Sequence, residues 1–505
     1  MRRARWIYAA VTVLATLANN IQLTAQGQPR HHQYKLYDVG TFGGPDSIAS
    51  TFAVTLTAAG AIGTADTPAH DPFDPNCISL QCHVTHAFRW QNGSTTDLGA
   101  LPGNNGENSS YAFAINEGGT VVGISENGAI DPDTGYPEAV AVEWSNGNLI
   151  NLGTFGGTQS LAAQNNSRGQ IVGWAMNTVP DPYSAALEFV GVGGSFPGTT
   201  QIRATLWDRT GMHDLGTLGG SSAVAFTVNQ SGQIAGYSYT NSDPNSTTGI
   251  PTIDPFFWEH GHMTDVGSLG GTIGFANWLN NRGQVVGQSN LAGDLRWHGF
   301  VWERGVLTDL NLGGSFASAN WVSDAGDVVG TSYLSGDLVY HSFLWRHGAM
   351  TDLGSVGQDP CAIAYGVNSG HQVVGASYGQ CDVSSSRRAA ISENGGPMAD
   401  LNALVQPPTD LHLYVAFYID ERGRIYGLGR RPDGNRRVVI LVPSGDCDQD
   451  CDQRIAASQN SNAPTGQFAA GDRIAPTFGK TADWLRSGFG QRFSSSGRGV
   501  ATSHR

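Results

Sequence analysis

Between residues 34 and 442, short runs of alternating apolar and polar positions recur, each closed by Asn, Asp or Gly. Ala223-Val-Ala-Phe-Thr-Val-Asn229 and Ala112-Phe-Ala-Ile-Asn116 show the period of two that marks a strand. A short Gly-bearing turn follows, as in Gln230-Ser-Gly232, and then a second strand, Gln233-Ile-Ala-Gly-Tyr-Ser238. Asn and Gly tolerate positive φ, so the two strands form a hairpin. A third strand ends in Trp in six units, at Trp90, Trp144, Trp207, Trp258, Trp302 and Trp345. A second tight turn leads into a fourth strand, for example His347-Gly-Ala-Met-Thr-Asp-Leu353. A Trp recurring at one phase is expected to pack between units.

Units start at Asp38, Asp97, Asn151, Asp214, Asp265, Asp309, Asp352 and Asp400, with steps of 59, 54, 63, 51, 44, 43 and 48 residues. A basic period in the forties is that of a four-stranded propeller blade, and the longer steps carry insertions. Tyr34-Lys-Leu-Tyr-Asp-Val39 reads as a fourth strand with no predecessor, and Arg437-Val-Val-Ile-Leu-Val442 as a third strand with no successor. Joining them completes a blade and removes sheet edges. The expectation is therefore an all-β, eight-bladed β-propeller over residues 34–443, closed by the N-terminal strand, with seven blades as the alternative.

His86-Ala-Phe88, Asp214-Leu-Gly-Thr-Leu-Gly-Gly220 and the Asn-x-x-Gly-Gln-Val-Val-Gly phrase from Asn280 to Gly287 resemble the bacterial extracellular repeat family named for its His-Ala-Phe motif. The resemblance spans residues 34–442. It implies an exported, propeller-like repeat protein and brings no catalytic residues with it. Units seven and eight depart from the pattern, with Arg388-Ala-Ala-Ile-Ser392 and Arg437-Val-Val-Ile-Leu441 in place of the aromatic phrase.

Composition narrows the setting. Arg2, Arg3 and Arg5 precede an apolar run from Trp6 to Ala18, too short to span a bilayer. Residues 1–25 therefore read as a signal peptide, cleaved after Ala18 or Ala25, which places the protein in the periplasm, at the cell surface or in the medium. Six cysteines fall in three close pairs, Cys77 with Cys82, Cys361 with Cys381 and Cys447 with Cys451, and local disulfides are the simplest pairing. The rival reading, a metal site built on Cys77, Cys82, His83 and His86, suits an exported chain less well. A formal charge of −14 argues against nucleic acid. Residues 444–505 are polar and aperiodic and read as a disordered tail.

Candidate chemistry lies in the insertions before the third strands of units one to four. They hold Asp71, Asp74, His83, Asp131, Asp133, Asp181, Tyr183 and Asp243. Loops on a rigid scaffold are where binding residues concentrate, so the insertion-bearing face is the expected binding face. These carboxylates supply the oxygens that calcium takes, but Asp-Pro and Asp-x-Asp are also ordinary turn chemistry, and no cofactor is expected. The recurrent His (His86, His298, His341) reads as a hydrogen-bonding group within the blade. The Asp of Asp-Leu-Gly reads as a cap of the following turn. No catalytic motif stands out. The leading reading is a monomeric, non-enzymatic scaffold for a glycan or an extracellular protein. The alternative is a polysaccharide lyase or glycosidase with acids at the channel mouth.

Overall fold

The computed structural model describes residues 31–446 except 50–52, 75–76, 78–81, 104–106, 185–186, 188–198 and 383–385, together with 453–455 and 457. Nearly all the regular structure of the described chain is strand, arranged as repeats of four antiparallel strands in sequence order. Repeat five shows the plan with Gly270–Leu279, Val285–Leu291, Trp297–Glu303 and Val306–Leu310. Three repeats share one 12-stranded sheet only through single parallel pairs, Ile253 with Ile273 and Trp297 with Phe316. Repeat one is less regular, with its first strand in two pieces, Ser47–Ile48 and Leu56–Thr57.

Strand His32–Asp38 pairs antiparallel with Arg436–Asp446, beside Ile425–Arg430 and His412–Ile419. The last strand thus runs past residue 443, where the sequence pattern stops, because Gly445 and Asp446 still find partners in Gln33 and His32. Arg454 donates to the Ala403 carbonyl of the short helix Leu401–Leu404, and Ile455 packs on the same cluster. The expected signal peptide, the remainder of the tail and the Cys447–Cys451 pair lie outside the described residues. Among the described residues no helix is long and apolar enough to cross a membrane.

The repeated phrases have direct steric causes. The Gly of Val-Val-Gly faces a bulge in the first strand, and a Cβ on Gly287 would lie 1.9 Å from the Phe275 carbonyl oxygen. The same would hold at Gly123, Gly173, Gly330 and Gly375. The Phe of the third strand fills the space this Gly leaves, since Gly287 and Phe300 are cross-strand partners. The tight Trp-x-x-Gly turns place Asn92, Asn146, His260, Arg304 and His347 at φ near 50°, each followed by a positive-φ Gly, the mirror-image turn that suits a twisted hairpin. The recurrent Trp packs as expected. Trp144 and Trp207 donate Nε1–H to the Gly99 and Leu152 carbonyls, and Trp302 packs against Phe257 of repeat four.

Every repeat also hands a hydrogen bond to the next. The Asn at the end of the first strand accepts from its own hairpin and donates Nδ2–H across the junction. Asn116 donates to Asn166 O, Asn166 to Asn229 O, Asn229 to Asn280 O and Asn280 to Ser323 O. Ser323 replaces Asn in repeat six, and Asn320 donates to Ala364 O instead. Asn368 then donates to Asp420 O, Arg424 of repeat eight to Thr57 O, and Thr57 Oγ1 to Asn116 O. The chain of bonds that leaves repeat one therefore returns to it.

Candidate functional site

The two ends of this array differ. One carries the short Asn-x-x-Gly and Trp-x-x-Gly turns, the other the insertions. At the insertion end three of the six carboxylates singled out in the sequence are buried and occupied. Asp71 caps Phe73 N–H and accepts from Ser109 Oγ of repeat two. Asp131 caps Asp133 N–H and accepts from Thr158 Oγ1 of repeat three. Asp181 caps Tyr183 N–H and accepts from Ser221 and Ser222 of repeat four. All three are buried. They staple each insertion to the next repeat, and Arg436 of repeat eight does the same to Asp46 of repeat one. Tyr183 accepts Tyr239 O–H at its carbonyl. Asp74, Asp133 and Asp243 are exposed, with Asp133 also accepting from Thr199 Oγ1 and Asp243 N–H capped by Asn241. His83 opens the third strand opposite His70. Cys77 bonds to Cys82 and Cys361 to Cys381, which takes both insertion cysteines away from any metal. The residues named from the sequence thus build the insertion end.

The recurrent histidines are likewise local. His86, His298 and His341 each place Nδ1 2.8–3.1 Å from both oxygens of an Asp of the fourth strand, at Asp97, Asp309 and Asp352. Asp97 and Asp352 also cap the Gly N–H two residues on, at Gly99 and Gly354, as Asp265 caps Gly267 in repeat four. Burial pushes the His86 pKa down, but the hydrogen bond and charge of Asp97 outweigh it and leave it raised. Repeat four has Asp254 at the His position, facing Asp265. Burial first, and then the neighbouring carboxylate, lift Asp254 to about 7. A second acidic group lies at the junction of repeats one and two, where Glu126 is fully buried. Burial and then the charge of Asp71 raise it to about 8, against the hydrogen bond from Ser109 N–H.

The feature that sequence reasoning missed lies at the turn end. A cavity of about 220 Å³ is lined by side chains from all eight repeats. Repeats one to four contribute Thr57, Asn116, Gln164 and Val228, and repeats five to eight contribute Trp278, Trp321, Val367 and Tyr418. One wall is aromatic. Trp278 and Trp321 stack with centroids 3.6 Å apart and planes 17° from parallel, and Tyr418 meets Trp321 edge-on at 5.4 Å. Gly366 of repeat seven stands between the last two, where a Cβ would crowd Phe417 O at 3.1 Å. The facing wall carries the amides of Gln164 and Asn165, and the rim carries Glu117, Asp324 and Glu421, all exposed. The signal was present in the sequence. Trp278, Trp321 and Tyr418 follow the same first-strand Ala (Ala276, Ala319, Ala416) at the same spacing. They stand out of phase with the third-strand Trp that draws attention.

No family model and no curated relative matches the chain. Solved structures similar to it include a Trypanosoma rangeli sialidase in complex with the inhibitor DANA, at 8% identity and a TM-score of 0.28, covering 73% of this chain and 58% of the sialidase. TolB from Acinetobacter baumannii shares 13% identity over 82% of this chain and 98% of its own, with a TM-score of 0.30. Aleuria aurantia lectin, in complex with Fucalpha1-6GlcNAc, shares 13% over 66% of this chain and 95% of its own, at 0.27. The chain spans less than two thirds of the sialidase's length. Likenesses this distant fix neither an activity nor a ligand.

Proposed function

We propose that the chain is an eight-bladed β-propeller, closed by its N-terminal strand, that works outside the cytoplasm as a ligand-binding scaffold for a glycan or a protein. The cavity at the turn end carries this reading. Eight first strands converge on one space, with an aromatic wall and an amide wall, as binding sites built on rigid frameworks do. At 220 Å³ it falls below the roughly 300–1,000 Å³ of drug-sized sites, so it seats a single sugar ring or side chain of a larger partner. The two disulfides fit an oxidising compartment.

The test is a glycan array probed with the purified protein, read in parallel with a Trp278→Phe variant. Saturable binding that weakens in the variant, with no product released, supports the scaffold. Release of shortened glycan overturns it in favour of an enzyme. Equal binding by both proteins removes the cavity from the account.

A further inference from the structure

The charge lining the cavity is of one sign. The rim supplies three carboxylates, and among the described residues no Lys, Arg or His lines the cavity. Three arginines of the same turns are engaged elsewhere. Arg168 donates to Ser231 O and Arg282 to Ala325 O, while Arg424 is held by Asp420 and Thr57 O. Asn165, only 6% exposed, lines the cavity and donates Nδ2–H to Thr120 O, which leaves its Oδ1 without a partner. A buried acceptor of this kind calls for a donor. A neutral sugar gains no charge attraction from the carboxylate rim. A cation presents donors alone, and an aromatic wall attracts it further.

We propose that this cavity receives a guanidinium or alkylammonium head, carried by a basic side chain of a protein partner. The inference rests on the cavity being the binding seat and specifies what enters it. The aliphatic stem lies along Trp278 and Trp321, and the head reaches Asn165 Oδ1 beneath the carboxylate rim. The rim carboxylates also tie neighbouring turns together, since Glu117 accepts from Ala58 N–H, Asp324 from Asn281 and Glu421 from Ser369. The informative substitutions therefore remove charge and keep an acceptor.

The probe is agmatine, a guanidinium on a butylamine stem, titrated by calorimetry and Trp emission into the full chain. Glucosamine and glucose serve as comparison ligands. Agmatine is expected to bind at one site per chain. Binding should weaken about tenfold, equivalent to ~1.4 kcal/mol, in a combined Glu117→Gln, Asp324→Asn, Glu421→Gln variant. The same variant should unfold within a few degrees of the parent, which separates lost charge from lost fold. A Trp321→Phe variant should lower the affinity and alter the emission response. Unchanged affinity in the charge variant overturns the proposal, as does tighter binding of glucosamine than of agmatine. Glucose binding that depends on Trp321 but not on the rim charges would overturn the cationic ligand and leave the seat standing. Failure of all three ligands to bind removes both.

Discussion

Asn229 shows how much one side chain carries. Its Oδ1 accepts from Ser231 and Gln233 N–H, and its Nδ2 donates to Gln233 Oε1 and to Asn280 O of the next repeat. Replacement by Ala strands several of these buried groups at once. Asn229→Ala is expected to lose about 2–3 kcal/mol in urea unfolding, whereas the exposed neighbour substitution Gln230→Ala loses less than about 1 kcal/mol. Glu126 makes the opposite kind of statement. Its pKa rises from 4.5 to about 8 on folding. The folded state then holds this proton more tightly, so the associated stability is complete below pH 4.5 and is lost as pH climbs through about 8. Glu126→Gln should match the parent near pH 4 and exceed it at pH 9 by on the order of a few kcal/mol, in thermal or urea unfolding. A variant that is less stable than the parent at pH 9 would contradict that account. The capping Asp and the paired His were legible in the sequence because both act within one repeat. The roles of Asp71, Asp131 and Asp181 were not, because their second partner is a hydroxyl in the following repeat and no periodicity announces it.

At the scale of the element, four strands per repeat could be read from the period of two and the turn residues. The register could not be, because it depends on a bulge. Two first-strand residues, Ala276 and Trp278, bracket the extra one, Asn277, while their partners Gly287 and Val286 are adjacent. That bulge sets the Phe275 carbonyl against Gly287 and turns Asn277 to donate to Ala319 O of repeat six. Gly287→Ala meets backbone 1.9 Å away and cannot be relieved by a rotamer. The expected loss is more than about 3 kcal/mol, or failure to accumulate as folded protein, while Gly293→Ala, in an open turn, is limited to its backbone strain of about 1–2 kcal/mol. Equal stability of the two variants would show that the bulge is not needed. The bulge also explains why the aromatic wall escaped sequence reading, since it shifts Trp278 and Trp321 out of simple alternation.

For the whole molecule, the half-repeats at the two ends of the sequence already implied that they join. The ring of hydrogen bonds and the Arg436–Asp46 contact support a single closed body, and the cavity exists only if that body closes. Lys35 and Val442 are direct cross-strand partners between the N-terminal strand and the last strand. The decisive measurement is oxidation of a Lys35→Cys, Val442→Cys double variant, followed by non-reducing electrophoresis and size-exclusion chromatography. Closure predicts a near-complete intramolecular disulfide in a monomer of unchanged elution volume. Free thiols throughout, or a bond that forms only between chains, would contradict it.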